Sequence, residues 1–335
     1  MLQAGDSVST PGGRGSSADA LTGLLSCTAR TPLPFMTTRR FVQVDVFAER
    51  PGAGNPLAVV LDAQGLDDAT MQAIARWTRL PETTFVFPAS SPEASYGIRM
   101  FSPRREVPFA GHPSVGTAHA VLEAGIASPR DGLLVQEGIA GLLPLRVEGQ
   151  GHARTIAVRT PRASVMEVAD PGDPRLQAVL AGLPLGALPP VLMDGGRRWW
   201  IAELRDETAL RTATPPWEAI GALAQSTESM GLFVFARSDD PVHFFAVRAW
   251  VGAPAQFEDA ASGAANATLA AWLAERKALP GRDGRYRISQ GREVGYDAII
   301  ELMVDEHGEV WSGGRVCSVV EGTIQWPATA RAPGD

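Results

Sequence analysis

At 335 residues, with 45% hydrophobic and 20% charged side chains, the chain is long and apolar enough to bury one large core or two smaller ones. Its net charge of −7 argues against nucleic acid or an anionic membrane surface as the main partner, and no apolar run reaches the roughly 18–20 residues a spanning helix needs. Two cysteines, Cys27 and Cys317, are too few for a disulfide framework and point to a reducing, cytoplasmic compartment.

Residues 1–38 are rich in Gly, Ser, Ala and Thr without apolar periodicity, which predicts a disordered tail. The apolar stretch before Leu24-Leu25-Ser26-Cys27 is too short and broken for an export signal, so folded structure is expected from about Met36. Alternation predicts a first strand at 41–47, followed by a strand at 56–61. A helix is expected at 68–78, capped by Asp67 or Asp68, with Met71, Ile74 and Ala75 on one face. Strands are then expected at 84–88 and 96–101, a helix at 114–124, strands near 133–147 and 154–159, and a Pro-rich surface connection at 183–190. Further on, Trp217, Ile220, Leu223 and Ala224 form an apolar helical stripe, 232–236 and 243–249 read as strands, and 262–277 as a helix. The order helix, strand, strand, Ala-rich helix thus occurs twice.

The two Ala-rich helices carry similar openings, REVPFAGHPSVGTAHAVL at 105–122 and FEDAASGAANATLAAWL at 257–273. An offset of 147 places His112 on Asp259, Gly116 on Gly263, Ala118 on Ala265 and Leu122 on Leu269. Helix starts present unpaired N–H groups and the positive end of the dipole, so two of them facing one cleft would hold a small anion. Glycine at 111, 116 and 263 would let backbone approach a ligand. Spacing alone leaves two readings of His112 and Asp259 open, as helix caps or as catalytic groups. Glu82 precedes the apolar run Phe85-Val86-Phe87, where desolvation would raise its pKa toward neutrality; a solvated loop carboxylate is the alternative.

The segments GNPLAVVLD (54–62), LPETTFVF (80–87), FAGHPSVGTAHAVL (109–122) and FEDAASGAANATLAAWL (257–273), in this order, resemble the phenazine-biosynthesis PhzF-like family of cofactor-free isomerases. The resemblance runs from about Phe41 to about Gly322. It implies an α+β fold of two pseudo-symmetric halves, 39–160 and 161–330, with some strand exchange between them. Each half would be a curved, mostly antiparallel, barrel-like sheet around a central helix, with the active site in the cleft between. The same fold group includes diaminopimelate epimerase and proline racemase. By motif, Glu82 is implied as the acid/base that moves a proton, with His112 and Asp259 as its catalytic companions. Gly111, Gly263, Ala264 and Asn55 are implied on the substrate, a small carboxylate. No cofactor or metal is implied, and a homodimer is.

Two departures stand out. Pro81 and Ala264 occupy positions where the family usually carries serine, and Ala260 replaces a proline. Each missing hydroxyl removes a hydrogen bond worth about 0.5–1.5 kcal/mol, which points to a substrate other than the founding member's dihydro-hydroxyanthranilate. A metabolite-binding homologue without turnover, or a lyase or cyclase using the same glutamate, are the alternatives. Neither cysteine lies at a helix start, against a two-thiol racemase, and no HExxH, CxxC or GxGxxG spacing supports metal or nucleotide. Trp199-Trp200 beside Arg197-Arg198 reads as strand packing with a solvated basic pair, His119 as a structural residue, and Arg248 and Arg292 as members of surface ion pairs.

Overall fold

Two pairs of parallel strands in each half dictate the architecture, because a parallel pair needs a crossover and a helix is the usual one. The computed structural model describes residues 36–327 except 171 and 282, so the expected tail up to residue 35, with Cys27, lies outside the described residues. The first ten strands and helices are β1 (Met36–Val46), β2 (Asn55–Val60), α1 (Asp68–Thr78), β3 (Glu82–Phe87), β4 (Tyr96–Phe101), β5 (Glu106–Val107), α2 (Gly111–Glu123), β6 (Leu133–Gly138), β7 (Gly141–Glu148) and β8 (Thr155–Arg159). Next come β9 (Ser164–Val168), α3 (Pro174–Leu180), β10 (Val191–Asp194), β11 (Arg198–Glu203), α4 (Glu207–Thr212), α5 (Trp217–Ser226) and β12 (Gly231–Arg237). The last are β13 (Phe245–Val251), β14 (Phe257–Asp259), α6 (Gly263–Glu275), β15 (Arg285–Gln290), β16 (Ala298–Val304), β17 (Val310–Gly314) and β18 (Val316–Pro327).

The pairings repeat. In the first half β1 is antiparallel to β2, β2 parallel to β3 across α1, β3 antiparallel to β4, β4 parallel to β6 across α2, and β6, β7 and β8 run antiparallel. The second half follows the same rule through β10, β11, β12, β13, β15, β16 and β17, with α4 and α5 across the first parallel pair and α6 across the second. Antiparallel pairing of β8 with β17 joins everything into one curved, open sheet of 18 strands. Each half then gives away its next strand: β9 pairs with β10, and β18 returns to pair with β1 along its whole length.

Helices α2 and α6 are the central ones. Both are apolar or small nearly all round, the pattern of a helix enclosed on every side, and 11 of the 13 residues of α2 are buried. Small residues let them approach the sheet: a Cβ at Gly116 would lie 2.7 Å from Leu57 Cδ2 and from Val46 Cγ2. One core cluster draws on both halves, from Val44 and Val115 to Leu269 and Ile300. Two smaller clusters lie under α1 and beneath α3 and α5. Strand β11 alternates between two of them, Trp199 in the large core and Trp200 in a small one.

Several boundaries differ from expectation. Helix α2 begins at Gly111 rather than 114, β3 at Glu82 rather than 84, and 133–147 is a hairpin of two strands. Strands β9, β10, β11, β15 and β16 and helices α3 and α4 go beyond the sequence assignment. The repeat offset is also corrected. Gly111 and Gly263 both open 13-residue helices, which gives 263 − 111 = 152 instead of 147. The earlier match aligned Gly116 with Gly263, but Gly116 lies mid-helix and serves packing on the sheet.

Candidate active site

Crossover geometry brings the starts of α2 and α6 together, since each follows a short strand and enters the sheet's interior. A Cβ at Gly111 would lie only 3.5 Å from Gly263 Cα. Neither His112 nor Asp259 caps a helix. His112 is the second residue of α2, whose N-cap, Ala110, offers no side chain, while Asp259 ends β14 and the cap of α6 is Ser262. Ala264 holds on α6 the place His112 holds on α2, so the imidazole is contributed by one half only. Glu82 opens β3 beside Leu57 of β2, and its Oε2 lies 3.4 Å from His112 Nε2, with side chains 15% and 9% exposed.

The loop bearing Asp259 is pinned from both sides. From the first half, Asn55, 2% exposed, donates through Nδ2 to the Ala261 carbonyl at 2.8 Å. From the second, Gln290 Nε2 donates to the Asp259 carbonyl at 2.9 Å, and its Oε1 accepts from the Ser262 N–H at 3.1 Å and Asn266 Nδ2 at 2.8 Å. Gln136 plays the matching part on α2, donating to Ser114 Oγ at 3.0 Å. Sequence reading missed both glutamines; the available signal was a buried-strand position filled by an amide in the strand after each central helix. Asp259 accepts from the Ala261 N–H at 3.3 Å and from the Ser262 hydroxyl. Asn55 Oδ1 and His112 Nε2 are buried without a partner.

Burial sets the electrostatics. It pushes the Glu82 carboxyl up to about 7, helped by the charge of Asp259 and opposed by Arg197. It pushes His112 down to about 3, so near neutral pH the imidazole is uncharged and its contact with Glu82 is no ion pair. Asp259 is likewise raised by burial, against hydrogen bonds from Ala261 and Ser262 and the charge of Arg197. The basic pair therefore divides: Arg198 is bonded to Asp194 and Glu228, whereas Arg197 acts on the two site acids.

Other expectations sort as follows. Arg248 is not at the surface: it is 4% exposed, bound to Glu258 at 2.7 Å and to the carbonyls of Leu210 and Ala213. An isolated Arg in the apolar strand FAVRAWV was the signal for that. Arg292 pairs with Asp297 at 2.8 Å, half-exposed, and His119 bonds Ser318 Oγ at 3.1 Å. Cys317 lies in β18, away from both helix starts. Among the described residues no group of three or more His, Cys, Asp or Glu could hold a metal ion, and no helix is long and apolar enough to cross a membrane.

Residues 44–322 match the family model described as phenazine biosynthesis-like protein. The chain is 31% identical over 272 residues to trans-2,3-dihydro-3-hydroxyanthranilate isomerase of Pseudomonas aeruginosa, covering 81% of this chain and 92% of that one. It is 30% identical over 296 residues to antisense-enhancing sequence 1 of Schizosaccharomyces pombe, covering 86% and 99%. Among solved structures, the PhzF family phenazine biosynthesis protein of Bacillus anthracis superposes with a TM-score of 0.72 at 24% identity, covering 86% and 99%, and so shares the fold. Two pseudo-symmetric halves around a shared cleft, together with these relatives, define an isomerase. The chain belongs to the phenazine biosynthesis-like, PhzC-PhzF family.

Proposed function

We propose that this isomerase moves a proton between two carbons of a small, conjugated, carboxylate-bearing metabolite, with Glu82 taking and returning it and no cofactor needed. The observation that carries the reading is Glu82 itself. It is a buried carboxyl whose pKa lies at about 7, facing a neutral imidazole at 3.4 Å, and a group that is half-ionised near neutrality serves equally as base and acid.

In the first step the C–H bond breaks, Glu82 gains the proton, and the electron pair enters the substrate's conjugated system. In the second the same O–H bond breaks and a new C–H bond forms further along that system, so the formula is unchanged. His112 Nε2 and Asp259 would hold the substrate's hydroxyl or amino groups, while Asn55 Oδ1 has acceptor capacity to spare. The unpaired N–H groups at Gly111 and Gly263 suit a carboxylate oxygen. The P. aeruginosa relative is named for an isomerisation of dihydro-hydroxyanthranilate; with Pro81 and Ala264 lacking hydroxyls, the substrate here is expected to differ.

The test is NMR in D2O with a panel of small unsaturated carboxylic acids, using wild type and Glu82→Gln. Deuterium is expected to enter carbon with wild type and to do so roughly 10²–10⁴-fold more slowly with the variant. Exchange that survives Glu82→Gln would remove Glu82 from the role. Binding without exchange in wild type would favour a non-catalytic binder, and loss of a leaving group a lyase.

A further inference from the structure

The turn between β10 and β11 presents a guanidinium for which the fold itself has no use. Residues 194–197 make this turn, and it sits tightly on the central helix of its half: a Cβ at Gly195 would meet Thr268 Oγ1 of α6 at 2.6 Å. Gly196, at φ 92°, donates its N–H to Asp194 Oδ1 at 2.9 Å, closing the turn. Of its two arginines, Arg198 is tied down by Asp194 at 3.3 Å and Glu228 at 3.1 Å. The side chain of Arg197 is exposed and, among the described residues, makes no hydrogen bond or salt bridge. Its charge nevertheless acts on both Glu82 and Asp259, the acids contributed by opposite halves.

We propose that Arg197 binds the carboxylate of the substrate and makes the cleft selective for carboxylic acids over their neutral analogues. This rests on the cleft being the isomerase site. An anion entering a cleft that already holds two acids is repelled unless a cation stands beside it. The buried arginine of this half does not serve, because Arg248 spends Nε and one terminal nitrogen on Glu258 and the other on two backbone carbonyls. Arg197 has its whole planar fork available, and that fork matches a carboxylate through two parallel hydrogen bonds. Held by its turn against α6, it acts as a specificity residue that fixes which end of the substrate lies away from Glu82.

Affinities of benzoate, 3-hydroxyanthranilate and crotonate, each against its own carboxamide, test this by calorimetric titration of wild type, Arg197→Gln, Arg197→Lys and Glu82→Gln. Wild type is expected to prefer at least one acid over its amide by 10-fold or more. Arg197→Gln should weaken that acid by roughly 10–100-fold and leave the amide within twofold, with Arg197→Lys recovering part of the loss. Glu82→Gln should keep the preference. Absence of any acid preference in wild type, or a preference that survives Arg197→Gln, overturns the proposal. Because binding alone is read, loss of preference in Arg197→Gln upholds Arg197 even where no proton exchange is seen and the reading of Glu82 fails.

Discussion

Glu82 and His112 meet as two groups whose proton affinities burial has moved in opposite directions, and stability should follow both. Folded Glu82 keeps its proton up to about pH 7, whereas an unfolded glutamate releases it near about 4.3. Its contribution is therefore fully present below about pH 4 and lost as pH rises through 7. Folded His112 takes a proton only near about pH 3, an unfolded histidine near about 6.5, so its contribution is present above about pH 6.5 and lost as pH falls. The two slopes offset each other between about pH 4.5 and 6.5. Glu82→Gln removes one of them: at pH 8 the variant should be more stable than wild type by about 1–3 kcal/mol, and the gain should shrink to little at pH 5. Thermal melts at both pH values check this, and an equal gain at both would contradict the raised pKa. At this scale the sequence was informative where a motif surrounded the residue: Glu82, His112 and Asp259, from three distant segments, were all named. Arg197 was not, because a basic pair at a strand start reads alike whether its side chain faces water or a cleft. Only the packing of Gly195 on α6 decides the matter.

The central helices explain why small residues fill both Ala-rich segments: the sheet wraps around them and leaves no room for larger ones. Gly116 faces Leu57, Val46 and Val44, all fully buried and unable to retreat. Alanine gains up to about 1 kcal/mol in helix propensity over glycine, but forcing a methyl into a packed core costs about 1–3 kcal/mol. Gly116→Ala should therefore be net destabilising, by about 1–2 kcal/mol in chemical denaturation; a raised midpoint would mean the sheet yields. Helix α1 was fully legible, since Asp67 caps it and Met71, Ile74 and Ala75 are its buried face. The start of α2 was not, because neither an N-cap side chain nor a polar face marks it. The glutamine latches were invisible for another reason: Gln136 and Gln290 act on residues more than 20 positions away, and no local pattern encodes such a reach.

The halves share both a sheet and a core, so they are expected to melt together. Far-ultraviolet dichroism and tryptophan fluorescence should give one coincident unfolding transition; two separated transitions would mean that β8 and β17 join units that are stable alone. The repeated element order was readable from sequence, whereas the pairings that close the molecule were not, since β1 meets β18 across most of the chain. That same pairing bears on how the protein is made. Val46 lies opposite Val316, a separation of 316 − 46 = 270 residues, which a ribosome adding about 5–20 residues per second covers in roughly 15–50 s. For that interval β1 has β2 on one side and a bare edge on the other, the kind of surface that recruits foreign strands. A fold whose last strand completes its first thus leaves the nascent chain dependent on shelter until translation is nearly over.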